Sequence, residues 1–219
     1  MQFLYEPEAG ASQLHITGEH HRYLFKVRRF GIGAQLSVRN LRDGMRYRYR
    51  IAAIGKREAT LELVDAVQEE RRGGNLHLIW CMIDPKTIEK TLPMLNQLGV
   101  VKITFIYCER SQKNFRADFT RWEKILVNSC QQCGRTDLME LELVEDLDAA
   151  LQRYAEMAVL DFGGETVWGS VHRVLVGCEG GLSDSERQKL QNSYKIGLKS
   201  DLILKSETAA VTIAAKLLI

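Results

Sequence analysis

The stretch Ile196-Gly-Leu-Lys-Ser-Asp-Leu-Ile-Leu-Lys-Ser-Glu-Thr-Ala-Ala-Val-Thr-Ile-Ala-Ala-Lys-Leu-Leu-Ile219 decides how the rest of the chain is read. A short apolar piece ends at Ile196-Gly197-Leu198, and a polar bend follows at Lys199-Ser200-Asp201. Leu202-Ile203-Leu204 then leads to Lys205-Ser206-Glu207-Thr208 and a helix of Ala, Val, Ile, Lys and Leu. Ser206 suits an N-cap, because its oxygen can accept from an otherwise orphaned amide, and Glu207 sits where the helix dipole favours a negative charge. The helix is nearly all apolar and small, which predicts burial. Chain ends normally fray, so a buried terminal helix needs something to hold it.

Its companion lies upstream, at Val174-Leu-Val-Gly-Cys-Glu-Gly-Gly-Leu-Ser-Asp-Ser-Glu186. The apolar run predicts a buried strand, with Gly177, Gly180 and Gly181 in a loop after its C-terminal end. Ser183-x-x-Glu186 then opens a helix as a capping box. In an open α/β sheet, ligands sit in the crevice beyond the strand C-termini. Two such loops, after Val176 and after Ile196, can wall one small-molecule site, with glycines admitting a close backbone approach. The plainer reading is a tight connection between a strand and a helix.

Composition frames these motifs. The 219 residues suit one or two domains with a real core. A hydrophobic content of 45% with 26% charged residues is ordinary for a soluble globular chain. There is no apolar run long enough for a membrane span, and Met1-Gln-Phe-Leu-Tyr-Glu-Pro7 has no signal-peptide character. Five cysteines, an odd number, argue for free thiols in a reducing cytoplasm rather than a disulfide framework. Cys130-Gln-Gln-Cys133 has the CxxC spacing but no second pair and lies in a helical pattern. The five histidines are scattered, so no metal is expected.

A net charge of +2 conceals a division. Between His20 and Arg57 eleven basic side chains face one acid, Asp43. Such a local excess is the electrostatic footprint of a phosphate-binding surface. Arg28, Arg29, Arg39, Arg42, Arg46, Arg48 and Arg50 are the candidate RNA-binding residues. In Arg46-Tyr-Arg-Tyr-Arg50 the period of two puts arginines on one face and tyrosines on the other. A solvated outer sheet face explains that strand alone equally well.

The pattern along the chain divides it in two. Strands are expected over residues 2–6, 35–39, 46–54 and 59–68, with a short amphipathic helix over 19–29, giving a small, mostly β domain over residues 1–70. Glu69-Glu-Arg-Arg-Gly-Gly-Asn75 is a charged, glycine-bearing linker. Over residues 74–219 strands and helices alternate, which predicts a parallel sheet covered by helices on both faces. No GxGxxG follows its first strand, so an ordinary dinucleotide fold is disfavoured.

These residues resemble a known family. Val176-Gly-Cys-Glu-Gly-Gly-Leu-Ser-x-x-Glu186 is similar to the VGPEGG(F/L)SxxE motif of RsmE-type RNA methyltransferases, in the SPOUT superfamily. Leu198 through Ala210 resembles that family's LGxxILRTETA segment, with Lys205-Ser206 in place of Arg-Thr and Cys178 in place of the first motif's proline. Leu98-Gly-Val100, Glu109-Arg-Ser111 and Gln131-Gln-Cys-Gly-Arg135 also agree, with glutamines at Gln97 and Gln131 where glutamates are usual. His20-His21 with Val27-Arg28-Arg29 and Gly33 is similar, at stretched spacing, to the HxxxVLRxxxG element of its PUA-like domain.

The resemblance implies an α/β fold: a PUA-like β-barrel for RNA, then a SPOUT domain tied in a deep C-terminal trefoil knot. True knots are rare, and one would anchor the terminal helix. It implies a homodimer that uses S-adenosylmethionine to methylate N3 of a uridine in 16S rRNA of the small ribosomal subunit. Val176, Gly177, Glu179, Gly180, Gly181, Ile196, Gly197, Leu198, Ile203, Leu204, Lys205 and Thr208 would hold the cofactor. Arg110, Arg135 and Lys205 are the candidate catalytic cations, Glu179 and Glu207 are possible acceptors, and no residue is assigned as general base. The alternatives are a SPOUT enzyme with another RNA target and a non-catalytic RNA-binding assembly factor.

Overall fold

Alternating burial in the first seventy residues builds five strands: β1 (Leu4–Tyr5), β2 (Gln13–Thr17), β3 (Gln35–Arg39), β4 (Met45–Ile54) and β5 (Glu58–Gln68). They form one sheet in the order β1-β3-β4-β5-β2, parallel only between β1 and β3. The computed structural model describes residues 1–70, 74–154, 156–166 and 169–219. The linker expected over Glu69–Asn75 thus falls partly, at 71–73, outside the described residues.

Side-chain alternation along β4 is as expected. Tyr49 and Ile51 are fully buried, while Arg48 and Arg50 are exposed on the other face. Tyr49 satisfies its buried phenol by donating to the Ala11 carbonyl (2.6 Å) and accepting from the Gly10 amide (2.9 Å). Two elements differ from expectation. The strand β2 was not anticipated; its buried Leu14 and Ile16 are only two apolar residues among polar ones. The helix expected over 19–29 is a single α-turn, α1 (Gly18–His21), running into a π-helical segment, Arg22–Val27. The Arg28 amide donates to the Tyr23 carbonyl, and Arg29 stops the winding at a φ of 58°.

The second half follows the strand–helix rhythm: β6 (His77–Cys81), α2 (Pro85–Leu98), β7 (Lys102–Tyr107), α3 (Phe119–Cys133) and β8 (Glu140–Asp146). It continues through α4 (Leu147–Arg153), β9 (Ala158–Glu165), β10 (Arg173–Val176), α5 (Asp184–Lys189), β11 (Lys195–Ile196) and α6 (Ser206–Leu218). All six strands are parallel, in the order β11-β9-β10-β6-β7-β8. Every residue of β6 is buried, as a central parallel strand requires. Asp84 caps α2 with Pro85 at its first position, and Gly99 ends it at a φ of 95°. The capping box Ser183–Glu186 opens α5 as read from the sequence. No helix among the described residues is long and apolar enough to cross a membrane.

Contacts divide the chain into two units, Met1–Arg72 with Cys130–Leu138, and Gly73–Ser129 with Met139–Ile219. The stretch 130–138 therefore groups with the first half, a long-range association that pattern reading over residues 74–219 does not anticipate.

Two expectations are corrected. Ser206 is not the N-cap of α6; Lys205 holds that place without a side-chain cap bond, and Ser206 is buried as the first helical residue. Its hydroxyl accepts from the Trp80 indole (2.8 Å) and donates to the Gly177 carbonyl, so it is taken by tertiary partners. Gly163 and Gly164 lie near the end of β9. A Cβ on Gly164 would lie 2.4 Å from the Ile196 carbonyl carbon, and one on Gly197 2.5 Å from the Gly164 oxygen, so β9 and β11 approach only because both are glycine. Finally, Cys81 and Cys108 form a disulfide, with Cα atoms 5.8 Å apart, and Cys130, Cys133 and Cys178 are not part of it. An odd count does not exclude one bridge, and neighbouring strands β6 and β7 bring these two together at their C-terminal ends.

Candidate functional site

A cavity opens at the C-terminal ends of β9 and β10, where the sequence placed a ligand crevice. One wall is Leu160 to Gly163, a second is Val176, Gly177, Cys178, Gly181 and Leu182, and a third is Leu198, Ser200, Leu202 and Leu204. Ser206 and Ala209 of α6 form the floor. The hydrogen-bond chain Trp80–Ser206–Gly177 fastens this floor to β6 and to the glycine loop. Gly181 adopts a φ of 68°, which turns the loop back over the cavity at no steric cost.

One ion pair interrupts the apolar walls. Arg187, on α5, donates through Nη1 to both carboxylate oxygens of Asp161, and the Phe162 amide donates to Asp161 Oδ1 (2.9 Å). Both side chains line the cavity. This pair was missed in the sequence, because Asp161 follows an apolar strand and Arg187 lies in a charged helix with nothing local to link them.

Arg110, in the connection after β7, packs against the glycine loop. Its Nη1 donates to the Gly180 carbonyl (2.9 Å), and a Cβ on Gly180 would come within 3.2 Å of the Arg110 Cβ. The turn bearing it is closed by the Ser111 amide on the Cys108 carbonyl (3.0 Å), and the Glu109 amide donates to buried Glu186 (2.9 Å). The hydroxyls of Ser185 and then Ser183 hold the Glu109 carboxyl below its usual range. Lys205 is exposed at the start of α6, and Glu207 beside it has one carboxylate oxygen buried without a hydrogen-bond partner.

The remaining candidates separate. Val176, Gly177, Gly181, Leu198 and Leu204 line the cavity; Glu179, Gly180, Ile196, Gly197, Ile203, Lys205 and Thr208 do not, although all lie in the segments that form it. Ile196 and Gly197 serve the β9–β11 pairing instead. Arg135 is buried in the first unit against Asp137 (3.0 Å) and is not part of the cavity. Arg39, read as an RNA contact, is only 4% exposed, with its guanidinium bonded to Glu69 and to the Met45 carbonyl (3.2 Å). Arg46, Arg48 and Arg50 face Glu69, Asp65 and Glu62. Arg28, Arg29 and Arg42 are exposed, and none makes an ion pair among the described residues. No cluster of metal ligands occurs among the described residues.

A sheet with its crevice at a reversal of strand order, preceded by a small β unit, defines a class, and the family comparison agrees. Residues 69–218 match the RNA methyltransferase domain and residues 16–64 the RNA methyltransferase PUA domain. The chain belongs to the RsmE family of RNA methyltransferases: it is 43% identical to ribosomal RNA small subunit methyltransferase E of Helicobacter pylori (strain ATCC 700392 / 26695), over 98% of each chain. The fold is also that of a ribosomal RNA small subunit methyltransferase E from Neisseria gonorrhoeae crystallised with S-adenosyl methionine (TM-score 0.80, 20% identity, covering 99% of this chain and 96% of that one). A probable rRNA methyltransferase from Porphyromonas gingivalis shares it too (TM-score 0.84, 18% identity, covering 100% and 98%).

Proposed function

We propose that this protein transfers the methyl group of S-adenosylmethionine to N3 of a uridine in 16S rRNA of the small ribosomal subunit, in the cytoplasm. The observation that carries the reading is the cavity beyond β9 and β10, in a chain 43% identical along 98% of its length to a small-subunit rRNA methyltransferase. We assign it the family's dimeric state and knotted C-terminal domain as part of the same reading.

The residues present fit that cofactor. Apolar side chains with interspersed backbone groups suit an adenosine, and the Asp161–Arg187 pair supplies one negative and one positive group to a ligand carrying an amino-acid tail. When bound, S-adenosylmethionine supplies an electrophilic methyl on a sulfonium. Position is then most of the catalysis, since an in-line displacement needs the accepting nitrogen held opposite the sulfur. Uridine N3 lies on the pairing edge and carries a proton, so the base must be unpaired and must lose that proton as the N–C bond forms. Arg110, steadied on Gly180, and Lys205 place positive charge at the rim, where they favour the uracil anion and neighbouring phosphates.

Incubating the purified protein with methyl-labelled S-adenosylmethionine and small subunits lacking the modification tests this reading. Label is expected in 3-methyluridine after digestion to nucleosides. Label in a different nucleoside, or none despite cofactor binding, would contradict it.

A further inference from the structure

The basic residues of the first unit fall into two groups of unlike standing. On the outer face of β4, Arg46, Arg48 and Arg50 stand beside Glu69, Asp65 and Glu62, one acid for each cation. Such a ladder has almost no net charge and exerts little pull on a polyanion at a distance.

The far end of β4 is different. The π-helical segment and the turn after it carry Arg22, Lys26, Arg28 and Arg29. His21 Nε2 lies 3.1 Å from the Gly55 carbonyl, which brings the β4–β5 turn with Lys56 and Arg57 to the same corner. All six cations are exposed and none makes an ion pair among the described residues. Glu19 and Glu58 are the acids of these stretches, so a clear positive excess remains. At the apex, on either side of Arg28-Arg29, Val27 is 62% exposed and Ile32 70% exposed.

This apex is held rather than loose. The Arg28 amide donates to the Tyr23 carbonyl (2.9 Å), Phe30 to Leu24 (3.1 Å) and Gly33 to Ile51 (2.8 Å), while the Phe30 side chain packs on the core. Little order therefore has to be gained on binding. Unpaired guanidinium groups can bind phosphates bidentately, and exposed aliphatic side chains among them suit a partner that offers apolar faces beside its charges. Single-stranded RNA does so, through its unstacked bases.

We infer that the corner formed by Arg22, Lys26, Arg28, Arg29, Lys56 and Arg57, with Val27 and Ile32 at its tip, is the surface that grips RNA. The arginine face of β4 is a structural ladder. The inference rests on the RNA methyltransferase reading and locates where the substrate is held.

The test is fluorescence anisotropy with a short, labelled, single-stranded uridine-rich RNA over a range of salt concentrations. Arg28→Ala with Arg29→Ala is expected to weaken binding about tenfold. The slope of log affinity against log salt should also become shallower, by about 0.7 for each phosphate no longer neutralised. Val27→Ser with Ile32→Ser is expected to weaken binding with the salt slope unchanged. Arg48→Ala with Arg50→Ala is expected to change affinity by less than about twofold, because each arginine already answers a carboxylate. Unchanged thermal melting of each variant confirms that it folds. Full RNA affinity in the Arg28/Arg29 variant, or a larger loss in the Arg48/Arg50 variant, would overturn the placement while leaving the enzyme reading intact. Loss of binding to whole small subunits with RNA affinity retained would assign the corner to a ribosomal protein and also overturn it. A wild-type chain that binds no RNA at low salt would overturn both readings together.

Discussion

Ser206 shows how one hydroxyl can be more consequential than its place in a motif suggests. It satisfies the buried Trp80 indole and the Gly177 carbonyl together, joining α6, β6 and the glycine loop at the cavity floor. Replacing Ser206 with Ala leaves a buried donor and a carbonyl unmet, at a cost of about 1–3 kcal/mol. Ser206→Ala should therefore lower stability to urea by about that amount and weaken S-adenosylmethionine binding several-fold by calorimetry. Ser206→Thr keeps the hydroxyl and should restore both; equal loss in the two variants would show that packing, not the hydrogen bonds, matters here. In the sequence Ser206 reads as a cap, because a serine before Glu-Thr-Ala is the usual cap signal. Its tertiary partners are more than a hundred residues and about thirty residues away, at Trp80 and Gly177, beyond any local pattern. Asp161 and Arg187 were hidden for the same reason.

At the scale of elements, the N-terminal edge of the parallel sheet holds a polar network with a definite response to acid. Arg173 Nε donates to His77 Nδ1 (3.0 Å), His77 Nε2 lies 2.8 Å from the Thr104 hydroxyl, and Thr104 donates to Glu142 (2.8 Å). The arrangement requires neutral His77. Burial, then Arg173 and Lys102, pull its pKa down from 6.5 to about 4. Burial alone would raise Glu142, but hydrogen bonds from Tyr154, Thr104 and Lys102 outweigh it and bring the pKa to about 2. In both cases the unfolded chain binds the proton first, so stability falls as pH falls. The His77 contribution is lost between pH 6.5 and about 4, and the Glu142 contribution between about 4.5 and 2. The first amounts to about 3 kcal/mol at most. His77→Gln should flatten the melting temperature between pH 6.5 and 4 relative to wild type; an unchanged pH profile would show that His77 does not carry it. Most elements were legible because their apolar periods are long: α2 spans Pro85–Leu98 as expected, and β4 alternates arginine with apolar or aromatic residues from Met45 to Ile51. β2 and the π-helical segment were not, since five residues with two apolar positions carry little periodicity and a widened turn has no sequence signature.

For the whole molecule, the alternation of strands and helices over residues 74–219 was enough to foresee a parallel sheet with its crevice at the strand C-termini. Strand order was not readable, because which strand inserts beside β6 depends on contacts across the entire second unit. The same limit hid the Cys81–Cys108 bridge, which exists only because β6 and β7 are neighbours. Charge illustrates the limit from the other side. The basic excess between His20 and Arg57 was plain from composition, but which arginines are already answered by acids became visible only in the folded sheet.

The central claim is tested most directly by mass spectrometry of nucleosides from small-subunit rRNA of cells with and without this protein. The account predicts that 3-methyluridine is lost when the protein is absent and returns when it is restored. Unchanged 3-methyluridine in its absence would contradict the account.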